Sequence, residues 1–209
     1  MLFSKIIFLG AHPDDEFGCS GTLCRFVEEK RDVYYATFSL CEESVPRGFP
    51  RDVLRSECEK AAKKIGVKKE NFFLYPFKVR HFPTHRQEIL EVLIQLRNNI
   101  MPDLVLVPAL SDMHQDHQVI AREALRAFKH CSILGYELPM NTVTFQHSCF
   151  IKLAERHVRK KIEIFKCYKS QMSKPYTSSE FIRGLALVRG VQIGEKLAEA
   201  FEVLRLKIS

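Results

Sequence analysis

Residues 6–16 have the sequence IIFLGAHPDDE, in which a short apolar run leads directly into a polar turn. Ile6 to Leu9 are all apolar and are followed by Gly10, a pattern typical of a short strand that is buried on both faces. Pro13 cannot donate to a strand ladder, so the chain is expected to turn there. This stretch therefore predicts a buried first strand that delivers polar side chains to one end of a sheet.

Strand and helix signals alternate after this first strand. Apolar runs recur at 33–38, 72–75 and 104–107. Between them, apolar residues at helical spacing mark two amphipathic helices, one ending at Gly66 and one before Pro102. Apolar strands joined by crossover helices pair in parallel and form a sheet covered on both faces. We therefore expect a Rossmann-like three-layer α/β fold with a mostly parallel sheet.

The last third of the chain is less regular. We expect helices near 153–168 and 178–188 and a closing strand at 201–206. A length of 209 residues with 46% hydrophobic residues is enough for one sizeable core. Residues 1–209 are therefore predicted to form a single domain.

Composition narrows the class of protein. Lys and Arg number 32 against 25 acidic residues, a net charge of +7 that fits either an anionic partner or a diffuse solvated surface. The seven cysteines are scattered and never form CxxC, which predicts reduced thiols in the core. The sequence contains no apolar run of the roughly 18 residues that a membrane helix needs, so we expect a cytoplasmic protein without a membrane span.

The first polar cluster, HPDDE at 12–16, follows the first strand. In a turn, His12 and Asp15 can converge while Asp14 projects between them. Imidazole and carboxylate suit a divalent metal, and an adjacent free carboxylate can accept a proton from water. Alternatively, the two aspartates only begin a helix, where capping and the helix dipole favour acidic residues.

The second polar cluster, HQDH at 114–117, follows the strand at 104–107. Its histidines, His114 and His117, can share one side of a loop or first helical turn, and the carboxylate of Asp116 between them can fix an imidazole tautomer. The alternative is a polar helix start capped by Asp112.

Both clusters lie just past the carboxyl ends of strands in one predicted sheet, where open α/β sheets bind ligands. The fold should therefore bring them together. Two histidines and one aspartate would form an open site with room for water and substrate, as in catalytic zinc centres, although the same set accommodates Fe²⁺ or another divalent metal.

The paired motifs resemble those of the PIG-L/LmbE family of metal-dependent N-deacetylases. For such enzymes, the expected reaction is hydrolysis of the N-acetyl group of an N-acetylglucosaminyl conjugate, which releases acetate and a free amine. The resemblance also implies a role for six side chains: His12, Asp15 and His117 as ligands of Zn²⁺, Asp14 as general base, His114 as an aid at the carbonyl oxygen or leaving amine, and Asp116 as a residue that orients an imidazole.

The chain departs from that family at a substrate-side arginine. Many members carry an arginine three residues before the glutamate of the second helix, but Leu54 stands at that distance from Glu57. Arg51 and Arg55 lie nearby, and neither is assigned this role.

Two loop segments are candidates for the rim of the site. Residues 41–52 have loop composition and follow the second strand, so they could form a rim or lid. Residues 80–86 contain Arg80, His81, His85 and Arg86, which either recognise an anionic group or only lead into the next helix.

Two competing functions stay open at this stage. A non-catalytic sugar- or nucleotide-sugar-binding module with a structural metal would be expected to lack Asp14 or a third ligand, yet both are present. A metal phosphohydrolase or nucleic-acid enzyme commonly needs more acidic residues, and the basic run at 156–161 is expected to be only a solvated helix face. We expect a small-molecule substrate, no nucleic-acid partner, and possible assembly into a homo-oligomer.

Overall fold

The computed structural model describes residues 3–207, in which a seven-stranded sheet lies between two layers of helices. The strands are β1 Lys5–Gly10, β2 Asp32–Thr37, β3 Phe72–Leu74, β4 Leu104–Pro108, β5 Ser132–Tyr136, β6 Cys149–Lys152 and β7 Ala198–Arg205. The α-helices are α1 Ser20–Glu28, α2 Val53–Ile65, α3 Arg86–Ile100, α4 Gln115–Ala127, α5 Glu155–Phe165 and α6 Ser179–Val191.

The strand order is β3-β2-β1-β4-β5-β7-β6. The first five strands of this order pair in parallel, whereas β7 is antiparallel to both β5 and β6. The predicted α/β fold with a mostly parallel sheet is therefore confirmed. From β1 the chain proceeds outward to β2 and β3 and then returns to β4 on the other side, which creates a topological switch point between β1 and β4.

Alternation along β1 divides the core into two layers. The four residues Ile6, Ile7, Phe8 and Leu9 are completely buried. Ile6 and Phe8 pack in the layer that contains α1, α2, α5 and α6, whereas Ile7 and Leu9 pack in the layer of α3 and α4. A strand with no polar face is thus explained by helices covering both sides of the sheet.

The cysteine prediction agrees with the structure. All seven cysteines are free thiols, and five of them are buried. Among the described residues, the structure contains no helix that is both long and apolar enough to cross a membrane.

The prediction that the basic run 156–161 forms a solvated face is wrong at Lys161. The Nζ of Lys161 lies 2.6 Å from Oε1 of Glu199, and both side chains are buried. The Glu199 carboxylate also accepts hydrogen bonds from the backbone N–H groups of Gly21 and Thr22, at 3.1 and 2.7 Å. This carboxylate therefore joins the start of α1, helix α5 and strand β7 around one buried charge.

We expect Glu199→Ala to lower the free energy of unfolding by about 3–5 kcal/mol, because it leaves the Lys161 ammonium buried without a partner. Urea denaturation measures this loss. The matched control is Glu195→Ala, which removes the partner of the exposed Lys152 at 2.9 Å and should cost less than about 1 kcal/mol. Equal effects of the two substitutions would contradict this account.

Candidate metal centre and active site

The two predicted clusters meet at the carboxyl edge of the sheet. Strands β1 and β4 are adjacent and parallel, so the turn after Gly10 and the loop after Pro108 emerge side by side. Nδ1 of His12 lies 3.0 Å from Nε2 of His117. Residues 105 positions apart in the sequence are thus in direct contact.

Three atoms that could bind a metal face one another in this contact. They belong to His12, Asp15 and His117, which we call the donor trio. Nε2 of His117 lies 3.2 Å from Oδ1 of Asp15, and Nδ1 of His12 lies 3.7 Å from the same oxygen. Ligands at about 2.0–2.1 Å from a tetrahedral zinc ion would stand roughly 3.3–3.4 Å apart. Since all three side chains are buried and the set contains two imidazole nitrogens and one carboxylate oxygen, it suits a divalent metal.

The electrostatics of the trio keep its carboxylate ionised. Burial alone would raise the pKa of Asp15, but the neighbouring imidazoles of His117 and His12 hold it well below its ordinary value. Burial likewise opposes protonation of His117, yet Asp15 and Asp112 raise its pKa to about 10. The carboxylates of Asp15 and Asp112 therefore favour a positive charge at this position.

A second carboxylate stands behind each imidazole of the trio. Nε2 of His12 lies 3.1 Å from Oδ2 of Asp116, and Nδ1 of His117 lies 2.7 Å from Oδ2 of Asp112. An imidazole that donates its outer N–H to a carboxylate presents its other nitrogen unprotonated to a metal, and metal-binding histidines almost always have such a partner. The structure thus places Asp116 against an imidazole, as expected, although that imidazole belongs to the other motif.

Asp112 is a residue whose role the sequence reasoning missed. We considered it only as a helix cap, but the residue that caps α4 is His114. Asp112 instead accepts from the backbone N–H of His114 through Oδ1, at 2.8 Å, and contacts His117 through Oδ2. The signal that would have found it is the requirement for a carboxylate behind each metal-binding histidine.

His114 has a different hydrogen-bonding state from the other two histidines. Its Nδ1 accepts from the backbone N–H of Asp116 at 3.2 Å. Burial, together with the charges of His12 and His117, lowers its pKa to about 4, so the ring is neutral at pH 7. A neutral ring that accepts at Nδ1 carries its proton on Nε2, where it is a hydrogen-bond donor. The ring nitrogens of His12, His114 and His117 lie within 4.8 Å of one another. Because Nε2 of His114 carries a proton, Asp15 is better suited than His114 to be the third metal ligand.

Asp14 stands outside the donor trio. It precedes a single 3-10 turn at Asp15–Gly18, yet its side chain makes no capping hydrogen bond, which argues against a purely structural role. The carboxylate is partly exposed, and its Oδ2 lies 3.8 Å from Nζ of Lys174. Asp14 therefore presents, beside the trio, a carboxylate that accepts no hydrogen bond within residues 3–207 and whose charged neighbour is Lys174.

Two tyrosines hold the turn that carries Asp14. The hydroxyls of Tyr35 and Tyr168 donate to the Glu16 carboxyl group at 2.9 and 2.7 Å, and both also contact the carbonyl oxygen of Pro13. Glu16 is completely buried, and this burial raises its pKa to about 8. The first motif is thus fixed from β2 on one side and from the segment after α5 on the other.

A cavity of about 230 Å³ opens over these groups. Ligand pockets usually measure about 300–1,000 Å³, so this one suits a group the size of a monosaccharide. Five of the six predicted site residues line it, and Asp116 lies behind them. Cys41 and Ser44 of the predicted rim at 41–52 also reach the cavity, as does Arg80 of the second rim segment. The remaining lining residues are Phe17, Leu54, Val79, Leu138, Met140, Asn141, Gln171, Lys174, Tyr176.

The chain is similar in sequence to a family of deacetylases. The profile of the family described as "PIG-L: GlcNAc-PI de-N-acetylase" matches residues 7–128. An uncharacterized deacetylase of Escherichia coli K12, YaiS, is 26% identical over 171 residues, which cover 79% of this chain and 90% of the relative.

Two solved structures share the fold. The N,N'-diacetylchitobiose deacetylase of Pyrococcus horikoshii has a TM-score of 0.79 at 19% identity, over 97% of this chain and 84% of its own. The 4-carboxy-2-hydroxymuconate hydratase GalB of Pseudomonas putida KT2440 has a TM-score of 0.79 at 17% identity, over 99% and 98% of the two chains. Because one of these proteins is a deacetylase and the other a hydratase, the reaction has to be argued from the site and not from the fold.

We expect Asp112→Asn to weaken zinc affinity about 10- to 100-fold, because it removes the carboxylate behind His117. Competition with a chromogenic chelator measures the affinity. Glu88→Gln, which changes an exposed carboxylate beside the half-buried His85, is the matched control and should leave zinc affinity unchanged. Unchanged affinity in Asp112→Asn would contradict the proposed support of His117.

Proposed function

Because the chain belongs to the PIG-L family, we propose that it is a zinc-dependent hydrolase that removes the N-acetyl group from an N-acetylglucosaminyl conjugate. The observation that carries the proposal is the convergence, in one cavity, of a metal-type donor trio, a free carboxylate and a neutral imidazole donor. These are the parts that metal-assisted amide hydrolysis requires.

In this proposal His12, Asp15 and His117 hold the metal. Three protein ligands leave a position for water and substrate, which is typical of catalytic zinc, and the same donors also suit Fe²⁺. A bound divalent metal would supply Lewis acidity at the amide carbonyl and would lower the pKa of water.

Asp14 is proposed as the general base. Water attacks the amide carbon and forms a C–O bond, and the Asp14 carboxylate takes the proton that the water loses. Its side chain is suited to this because it lines the cavity and is not used as a helix cap. The same proton then passes to the departing nitrogen as the C–N bond breaks, which leaves a free amine and acetic acid, and the acid loses its remaining proton to solvent to give acetate.

His114 is proposed to stabilise the oxyanion. His114 lines the cavity in which negative charge develops on the carbonyl oxygen during the attack, and its Nε2–H is the group that would donate to this oxygen. The hydrogen bond to its Nδ1 fixes the tautomer before substrate binds, so no reorganisation is needed at that step.

The competing interpretation is a non-catalytic binding module with a structural metal. That interpretation gives Asp14 no task, since Asp14 neither caps the following turn nor belongs to the donor trio. An acetate-release assay with a panel of N-acetylglucosaminyl conjugates, before and after chelation and with zinc restored, separates the possibilities. Binding without turnover would favour the module, and phosphate release would favour a phosphohydrolase.

We expect Asp14→Asn to retain zinc and to lower kcat by about 10²- to 10⁴-fold, the usual contribution of a general base. Elemental analysis and acetate release are measured on the same preparation. Asp52→Asn, a neutralised aspartate on an exposed position, is the control and should behave like the unmodified protein. If Asp14→Asn turned over at the normal rate with a full complement of metal, the base would have to be another residue.

We expect His114→Asn to keep zinc and to lower kcat about 10²- to 10³-fold with little change in KM, because an oxyanion donor acts in the transition state. Asparagine is chosen because it is a favoured helix cap and preserves an acceptor at the start of α4. Exposed His130 provides the control, His130→Asn, which should not alter kcat. Zinc loss in His114→Asn as large as in His117→Ala would instead identify His114 as a ligand.

A further inference from the structure

The backbone of Arg80 is held in an unusual conformation at the edge of the cavity. Its φ is +68°, in the left-handed region that residues other than glycine seldom adopt. Its N–H donates to Oδ2 of Asp116 at 2.6 Å, the same oxygen that contacts His12. Such outliers persist only where surrounding contacts impose them, and they cluster at functional sites.

The side chain of Arg80 is only partly used by the protein. Its Nη2 donates to Oγ of Ser44 at 3.0 Å and to the carbonyl oxygen of Glu43 at 3.4 Å. Within residues 3–207, it has no carboxylate partner, and its Nε and Nη1 groups have no hydrogen-bond acceptor. A guanidinium has five N–H donors in a fixed fork, so this one is anchored and still has donors available.

Of the other basic residues in the segment 80–86, Arg86 and His85 are paired with carboxylates, and His81 does not line the cavity. Arg86 pairs with Glu123, with its Nε at 2.8 Å from Oε1, and His85 pairs with Glu88 at 3.1 Å. Arg80 is also the member of this segment that lines the cavity. Of the anion-binding residues considered from the sequence, Arg80 is therefore the one in a position to meet a substrate.

The other lining residues show which charged groups the cavity offers to a substrate. Three buried residues of the lining, Leu54, Cys41 and Val79, carry no charge. Lys174 is the other lysine or arginine of the lining, and its ammonium faces Asp14. Arg80 is thus the cationic residue of the lining that has no carboxylate partner within residues 3–207.

We propose that Arg80 determines specificity by binding an oxyanion substituent, a carboxylate or a phosphate, on the acetylated amino-sugar conjugate. The proposal deepens the proposed function and rests on it. A planar fork forms charge-assisted, often bidentate hydrogen bonds with either oxyanion. The fixed backbone and the anchor on Ser44 hold the fork in place before the ligand arrives, which reduces the entropy lost on binding.

The test compares three substrates that share the N-acetylglucosaminyl group: a neutral methyl glycoside, the corresponding sugar phosphate, and a glycoside of a hydroxy acid. We expect the unmodified protein to prefer at least one anionic substrate in kcat/KM. Arg80→Gln should reduce that preference about 10- to 100-fold, mainly through KM, with little effect on the neutral glycoside. Arg80→Lys keeps the charge without the fork and should recover part of the preference.

The control is Arg47→Gln, which removes an exposed arginine from the loop to which Arg80 is anchored. It should leave the preference intact. Equal activity of the unmodified protein on all three substrates would overturn the inference while leaving the deacetylase proposal standing. An equal loss on all three in Arg80→Gln would mean that Arg80 acts only through Asp116 and would also overturn it.

A binding measurement keeps the test independent of turnover. Thermal unfolding of the metal-free protein is followed in inorganic phosphate and in malonate, at constant ionic strength set with chloride. Stabilisation by either anion that is lost in Arg80→Gln and kept in Arg47→Gln supports the inference, and the more effective anion identifies the substituent. Stabilisation that is absent, or equal in the two variants, overturns it. If none of the three substrates releases acetate, the deacetylase proposal fails while this measurement still decides on the anion.

Discussion

The hydrogen bond between Nε2 of His12 and Oδ2 of Asp116 joins two motifs that are 104 residues apart in the sequence. It leaves Nδ1 of His12 free toward His117, and the same carboxylate oxygen accepts from the backbone of Arg80. A single buried carboxylate thus orients one candidate ligand and fixes the conformation of a loop at the cavity. The contact depends in turn on the parallel pairing of β1 with β4, which brings the two segments to the same edge.

The buried charged groups at the site are stabilised by one another. Isolated ionised groups are costly in a protein interior, and each of those at the site has a partner of opposite charge or a hydrogen bond. Asp15 faces two imidazoles, and each of these imidazoles faces a further carboxylate. The arrangement keeps the donor set rigid. His114, which has the backbone as its partner, is neutral and can act as a donor.

The sequence was sufficient for the parts of the structure that depend on local pattern. Apolar runs predicted β1 through β4, and motif position predicted that His12 and His117 would meet. Strands β5 and β6 were not predicted, since their place in the sheet depends on pairing with β7 from the end of the chain. Asp112, Arg80 and the burial of Lys161 were missed or unresolved for the same reason. Their roles are set by tertiary partners, and a local pattern does not specify those partners.

The hydroxyl of Tyr168 connects the later part of the chain to the first motif, through its contacts with Pro13 and Glu16. The family profile ends at residue 128, and this region contains all six residues assigned to the chemistry. Much of the cavity wall, including Gln171, Lys174 and Tyr176, comes from the chain beyond it. Mutations in the later segment can therefore change which molecule the cavity accepts while the six residues proposed for the chemistry stay the same. Tyr168 is an exception in this segment, because its hydroxyl holds the turn that carries Asp14 and its loss would loosen that turn.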